Sequence, residues 1–531
     1  MSKFLEYFKD SFDDTVTEKA KYENQSYVAY APEDGVMFTE LASQNFLILT
    51  ALEDNSTVGL VSLSKNQILE YYIDNVSDSW NVMNNSTIIN LNNNERVFFK
   101  GNLTGDNDIY NGDYTQFKMT GKIAASGNCN GIWNYGDLNA PLKYGCGYCL
   151  FRDCSSLITA PRILPATELS DYCYGGMFYN CVNLTTVPEL PATELSEGCY
   201  YNMFSLCNSL TRVQKILPAT TLTKGYEYTN MFASCKSLIE SPELPATTLA
   251  ESSYEAMFWN CASLTSTPKL PATKLAKNCY KQMFQECPNI TMTPVLPAKE
   301  LADHCYYGMF YLCTKLTTAS DILGTKQDSY SCAFMFSDCT SLTKTQRILP
   351  ATILASYCYN GMFLKCASLR NTPILPAATL AEACYQSMFS ECTSLTAAPT
   401  LSSTELAPHC YRGMFSGCTS LTTAPKILPA TKLAVWCYQN MFWQCTSLTV
   451  APILPSPELV DRGYLQMFYG CSKLNSITCL AEGDIQYSKA TESWTYGVAP
   501  TGTFYKHPDA TWISGNNGIP GGWTILDAEI S

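Results

Sequence analysis

Histidine is almost absent from this chain: three copies in 531 residues, at His304, His409 and His507. His304 and His409 hold the same register in a repeat described below but stand four copies apart, about 19 Å at the usual interstrand spacing, too far to share a metal ion or a substrate atom. Lys and Arg form no run, and the formal charge is −13, so no surface is expected to track phosphates and nucleic acid is excluded as a partner. No stretch of 18 apolar residues occurs, which excludes a membrane-inserted helix. The opening MSKFLEYFKDSF has no basic segment followed by an apolar one, so it does not read as a secretory signal.

Cysteine and the aromatics, in contrast, are abundant, and they are periodic. Cys173-Tyr174-Gly175-Gly176-Met177-Phe178-Tyr179-Asn180-Cys181 is one copy of a pattern CYxxMFxxC. With the Met as phase mark, copies fall at Leu150, Met177, Met203, Met231, Met257, Met283, Met309, Met335, Met362, Met388, Met414, Met441 and Met467, in steps of 26 to 28 residues. Such a period is the mark of a solenoid, whose coils bury their apolar faces only by stacking. Thirteen parallel coils are expected over about 141–480, rising to about 60 Å.

Within a copy the retained positions are −4 (Cys), −3 (Tyr), 0 (Met), +1 (Phe), +4 (Cys) and +7 (Leu), as in Cys199, Tyr200, Met203, Phe204, Cys207 and Leu210. At helical pitch these fall in an arc of about 140°, which predicts a short amphipathic helix. The following SLTTxPxLPATxL predicts a short strand ended by a proline-fixed turn. Position +2 varies freely and reads as solvent-facing. Its large aromatics, Tyr179, Trp259, Tyr311, Trp443 and Tyr469, are the candidate ligand-binding residues, able to stack on sugars or anchor in protein pockets.

Cysteine fills +4 in all thirteen copies and −4 in nine, leaving Cys129, Cys149, Cys332 and Cys479 outside the two rows. Where −4 is Glu227, Ser253, Ser331 or Gly463 the +4 Cys remains, so the two are not obligate partners. Buried reduced thiols are the favoured reading. Disulfides between adjacent coils are the alternative in an oxidising medium, and zinc is disfavoured because no CxxC pair or nearby His completes a tetrahedral set within the repeats.

The ends differ from the repeats. Residues 1–25 carry Phe4, Leu5, Phe8 and Phe12 at helical spacing and read as a helical attachment segment. Over 26–140, runs such as Phe46–Leu49, Ile68–Ile73, Thr87–Leu91 and Arg96–Lys100 alternate with Asn-, Asp- and Gly-rich stretches, predicting an antiparallel β-sandwich that abuts the first coil. Residues 481–531 lose the period and bring Trp494, Phe504, Tyr505, Trp512 and Trp523 on a Gly- and Pro-rich background. They are expected to form a cap, with a sugar-binding platform as the rival reading.

The pattern CYxxMFxxCxSLTxxPxLPATxL resembles the BspA-type leucine-rich repeats common in gut Bacteroidota and their phages. The ending Gly502-Thr503-Phe504, Gly518-Ile519-Pro520 and Gly522-Trp523-Thr524 resembles the tail that commonly closes such arrays. Tyr72-Ile73-Asp74-Asn75, Trp80-Asn81 and Val97-Phe98-Phe99-Lys100-Gly101 resemble the β-domain that commonly precedes them. The resemblance implies an α/β solenoid and a surface-exposed recognition protein, and it carries over no catalytic motif.

The expected protein is therefore no enzyme and needs no cofactor or metal. It is a phage head or tail fibre or decoration subunit, made in the host cytoplasm without a signal peptide and extracellular after lysis. Its expected partners are other virion proteins through the N-terminal region, a host or mucosal protein or glycan, and further copies of itself. A bacterial surface adhesin and a purely architectural virion subunit are the alternatives.

Overall fold

The computed structural model describes residues 46–103, 109–133, 141–485 and 489–529. The attachment segment over 1–25 and the start of the β-region over 26–45 lie outside them. The chain divides into two compact units, up to Pro218 and from Ala219 on.

In the first unit the Val-, Ile- and Phe-rich runs form strands: β1 (Leu47–Ala51), β2 (Ser56–Ser62), β3 (Ile68–Ile73), β4 (Asn81–Val82), β5 (Ile88–Leu91), β6 (Arg96–Asn102), β7 (Gln116–Thr120) and β8 (Ile123–Gly127). A ninth, β9 (Leu157–Thr159), belongs to the first coil. One sheet has the order β4-β3-β6-β1-β8-β9 and the other β5-β2-β7. Several reversals turn on an Asn in the left-handed region, Asn55, Asn66, Asn75 and Asn94 at φ of 58–67°, a conformation Asn tolerates better than other non-glycine residues. The sheets meet where the Phe99 and Phe117 rings pack edge to face at 5.2 Å.

The first coil is built onto these sheets by the same contacts that join coil to coil. Strand β9 pairs in parallel with β8, the Phe117 ring stacks on Phe151 at 5.4 Å, and the Cys154 thiol donates to the Phe117 carbonyl. From Phe151 the row continues to Phe178 and Phe204, each step 5.4 Å. Phe117 thus serves as a coil's phenylalanine although no repeat surrounds it.

The second unit stacks the copies from Met231 to Met467, and its phenylalanines form a buried row from Phe232 to Phe468. Phe310 is fully buried, with ring centroids 5.4 Å from Phe284 and 5.8 Å from Phe336. This confirms the phase read from the repeat. At the C-terminal end β10 (Ser476–Cys479), β12 (Thr503–Lys506) and β14 (Thr524–Asp527) form a parallel sheet, and β11 (Asp484–Ile485) pairs with β13 (Thr511–Trp512). Trp494, fully buried, lies 6.2 Å from Tyr464 and 6.1 Å from Phe468. Trp512 stacks on it in turn at 5.5 Å, and the Trp494 indole N–H donates to the Gly518 carbonyl. Trp494, Phe504 and Trp523 are buried, which removes them as an exposed sugar platform.

The predicted amphipathic helix is absent; the CYxxMFxxC stretch is a run of four-residue turns. In the Met309 copy, His304, Gly308 and Leu312 are left-handed at φ of 54°, 56° and 62°. Alternate N–H groups bond within the coil, as from Tyr307 to the His304 carbonyl and from Met309 to that of Tyr306, both at 3.1–3.2 Å. Those between them reach into the next coil, from Tyr306 to Ser331, Gly308 to Ala333 and Phe310 to Met335 at 2.8–2.9 Å. An α-helix spends every interior N–H on itself and leaves none for a neighbour. Inward pairs at −4/−3 and 0/+1, with +4 beyond, have the same i, i+3, i+4 spacing as a helical stripe, which is why the two are indistinguishable over so short a stretch.

Between β9 of the first coil and β10 after the last, the predicted strand is reduced to single parallel bridges, as at Met292↔Thr318, Leu296↔Ile322 and Glu300↔Lys326. Pro294 and Pro297, which have no N–H, lie between these points and interrupt any ladder.

The cysteines have a specific place in this scheme. All 26 are free and buried. The +4 thiols of Cys261, Cys287, Cys313 and Cys339 donate at 3.0–3.1 Å to the +1 Phe carbonyl of the preceding coil. That carbonyl already accepts the N–H of its own +4 Cys, as Phe310 does from Cys313, so the thiol uses the second lone pair.

Candidate functional site

With most inward positions repeated from coil to coil, chemistry varies mainly at −5, −2, −1, +2 and +3 and on the proline-bearing stretch. The five candidate aromatics at +2 are less open than a solvent-facing column would be. Trp259 is 37% exposed, while Tyr179, Tyr311, Trp443 and Tyr469 are half-buried. Small residues at the same register, Ala233 and Ser337, are buried at 3% and 1% exposure. A column position is bounded on both sides by its own register one coil away, so larger neighbours shade smaller ones.

In the first unit Tyr179 belongs to a cleft of about 180 Å³ lined by Tyr148, Cys149, Arg152, Tyr179, Tyr201 and Asn202. The Arg152 guanidinium lies 5.1 Å from the Tyr179 ring centroid, and its Nε is 3.3 Å from Asp153 Oδ2. Asn180 donates to the same carboxylate at 2.8 Å, so the Arg–Asp pair is held in place and the cleft carries little net charge. Burial pushes the Tyr148 hydroxyl up to about 12 and raises Cys149 against the opposing effect of Arg152. Both stay protonated at neutral pH, and the cleft offers hydroxyl donors and ring faces with no ionised nucleophile.

In the second unit Trp443 stacks on Tyr469 at 6.2 Å and Tyr469 on Tyr496 at 4.8 Å, so these rings use faces on one another. Trp259 and Tyr311 have no ring or cation against them among the described residues.

A second aromatic column, at −5, was not picked out from the sequence. His304 stacks on Tyr330 at 4.6 Å and Tyr330 on Tyr357 at 4.7 Å, and the Tyr357 hydroxyl donates to Glu382 at 3.3 Å. His409 stacks on Trp436 at 4.7 Å, with the Arg462 guanidinium 5.3 Å from the Trp436 ring. Burial, then the nearby Arg412 charge, holds His409 below its usual range despite Glu382. The structure does not bring the two histidines together; each is a ring in its own stack. The signal was in the alignment of copies, since Tyr330, Tyr357 and Trp436 share their register.

A third outward surface is aliphatic. On the proline-bearing stretch of the second unit, Met292, Val295, Ile348, Ile353 and Ile374 are 44–59% exposed. The first two line a shallow groove of about 650 Å³ with Pro268, Pro271, Pro294 and Pro297. Among the described residues no helix is long and apolar enough to cross a membrane.

A repeated inner face under variable outer columns defines a repeat protein of the leucine-rich kind, and the comparisons specify which. A model described as BspA type leucine rich repeat region matches residues 146–265, 227–361 and 329–449, together more than half of the chain. The chain belongs to this family. Among solved structures it is similar to a leucine-rich repeat protein from Bacteroides ovatus, at 16% identity over 78% of this chain and 96% of that one, with a TM-score of 0.44. It is also similar to a chain of a TLR13–ssRNA13 complex, at 14% identity over 70% of this chain and 49% of that one, with a TM-score of 0.25. No curated protein matches.

Proposed function

We propose that this protein is a non-enzymatic surface-recognition subunit carried on a phage particle as a head or tail fibre or decoration protein. Its repeats bind a ligand on a host or mucosal surface. In this reading residues 1–140, with a β-sandwich over 26–140, attach to other virion proteins, 141–480 present the binding surface, and 481–531 cap the array. The supporting observation is the division of labour within each coil. Inward positions repeat, whereas outward columns carry aromatic rows at His304–Tyr357 and Trp443–Tyr496 and an exposed aliphatic stretch. Clustered aromatics of this kind are typical of binding surfaces. Several copies on one particle, or a homo-oligomer, turn weak contacts into avidity.

Two measurements test the reading. The chain should appear in the protein inventory of purified particles by mass spectrometry. Purified full-length protein should compete with particles for adsorption to host cells. Absence from particles, with presence on bacterial envelopes, replaces the virion role by that of an adhesin. Presence in particles without competition makes the subunit architectural.

A further inference from the structure

Three of the five candidate rings have a face engaged: Tyr179 by Arg152, and Trp443 and Tyr469 by stacking. Trp259 and Tyr311 have no ring or cation against them among the described residues, and they stand two coils apart with Gln285 at the same register between them. We propose that Trp259, Gln285 and Tyr311 form a binding row for an extended, neutral β-1,4-linked polysaccharide. The proposal rests on the surface-recognition reading above and names its ligand class.

Spacing carries the argument. The coils stack at the interstrand spacing, with Phe258, Phe284 and Phe310 in one continuous row, so positions 259 and 311, two coils apart, are separated by about 10 Å. In a straight β-1,4-linked chain successive rings are flipped, and every second ring presents the same face after a disaccharide length that matches this step. An α-1,4-linked chain coils and carries its second ring out of line. Aromatic faces take the axial C–H face of a pyranose.

Between the two rings the row is polar and fixed. Gln282 Nε2 donates to Gln285 Oε1 at 2.7 Å, and Gln285 Nε2 donates to Glu286 Oε1 at 3.1 Å. Each amide nitrogen retains a second hydrogen and Glu286 a second oxygen, which suits equatorial hydroxyls. Flanking the row, Ala233 and Ser337 add no ring that would occupy the outer faces. Glu286 and the chain's charge of −13 select against an acidic polymer.

The test is titration of the full-length protein with cellohexaose and with maltohexaose, followed by tryptophan fluorescence and calorimetry. Cellohexaose should bind saturably and maltohexaose at least about tenfold more weakly. Trp259→Ala and Tyr311→Ala should each weaken cellohexaose by about tenfold or more without moving the thermal midpoint, while Tyr110→Ala, at a ring 81% exposed outside the coils, leaves it unchanged. Equal affinity for the two sugars, no saturable binding of cellohexaose, or undiminished binding by Trp259→Ala overturns the proposal. Adsorption competition separates its failure from that of the wider reading. If the chain competes for the cell surface without binding cellohexaose, the glycan row falls and surface recognition stands. Loss of that competition in Trp259→Ala would then place a protein ligand at the row. If the chain binds cellohexaose without competing, the glycan row stands and surface recognition falls.

Discussion

The strands of residues 46–133 and the coils that follow solve the burial problem in opposite ways. In the strands every neighbour is particular: β1 lies between β6 and β8, and Leu47 faces Phe99 on one side and Gly127 on the other. In the coils a residue meets its own kind about 26 positions on, phenylalanine on phenylalanine and thiol on the same carbonyl. Repetition makes each contact interchangeable with the next, so stability becomes a sum over neighbouring coils. That leaves the outer columns free to change without touching the core.

Alkaline pH should break the two regions apart with the largest effect. Residues 46–133 contain Cys129 alone, whereas both cysteine rows lie in the coils. Burial pushes Cys418 and Cys471 up to about 12 from an ordinary 9, and Cys287 and Cys313 well above it. A thiol whose folded pKa is raised keeps its proton in the native state while the unfolded chain loses it. Its contribution is fully present below about pH 9 and is lost as pH climbs toward 12. Circular dichroism across that window should show steep cooperative loss of the coils. A coil transition no steeper than that of the strands would refute the role of the thiols.

Next in size is the phenylalanine row. Phe310→Ala should cost about 3–5 kcal/mol in denaturant unfolding, and Phe389→Ala the same within error, because both rings are fully buried between two others. Unequal costs would show that the coils are not interchangeable. A thiol is a smaller unit of the same stack: Cys287→Ala or Cys287→Ser should cost about 1–3 kcal/mol through a lost donor and a cavity or poorer fit, leaving ligand affinity unchanged. A chelator should leave the melting curve where it is.

Glu227 is where the repeat departs from its own rule. It occupies the −4 Cys position and is fully buried. One carboxylate oxygen accepts the Lys224 N–H at 2.8 Å, and the other has no hydrogen-bond partner among the described residues. Glu227→Cys should stabilise the chain by about 1–2 kcal/mol, since an unsatisfied buried polar atom is removed at the loss of one hydrogen bond. A loss of stability would mean that this coil is specialised.

These contrasts also mark what could be read from the residues. Phase, coil count and inward positions were legible, because thirteen copies average out local noise; so were β1, β3, β5 and β6, four of the eight strands of 46–133, from their β-branched and aromatic runs. The conformation of the coil was not, because spacing of apolar residues reports which side chains point inward and is silent on where alternate N–H groups go. The candidate rings at +2 were found, but their partners were not. Whether Trp443 faces solvent depends on Tyr469 one coil away, and Tyr179 is covered by an arginine 27 residues earlier. The −5 stacks needed only a comparison of registers that the histidine spacing alone did not prompt.

The smallest expected effect tests the turn geometry itself. Leu312 is left-handed at φ 62°, a conformation that costs a non-glycine residue about 1–2 kcal/mol, and its N–H bonds to the Ser337 carbonyl in the next coil at 3.0 Å. Leu312→Gly relieves that strain and keeps the hydrogen bond, but it gives up half-buried side-chain area and adds chain entropy in the unfolded state. The balance should be a gain of about 0.5 kcal/mol. The opposite change, Gly361→Ala, meets the same left-handed backbone at φ 57°, and its new methyl would sit 2.6 Å from the Phe334 ring. It should cost more than Leu312→Gly gains. Were the segment a helix, the signs would invert, since glycine destabilises a helix interior and alanine favours it. A pair of thermal midpoints, one raised and one lowered, therefore distinguishes a stack of turns from a stack of helices.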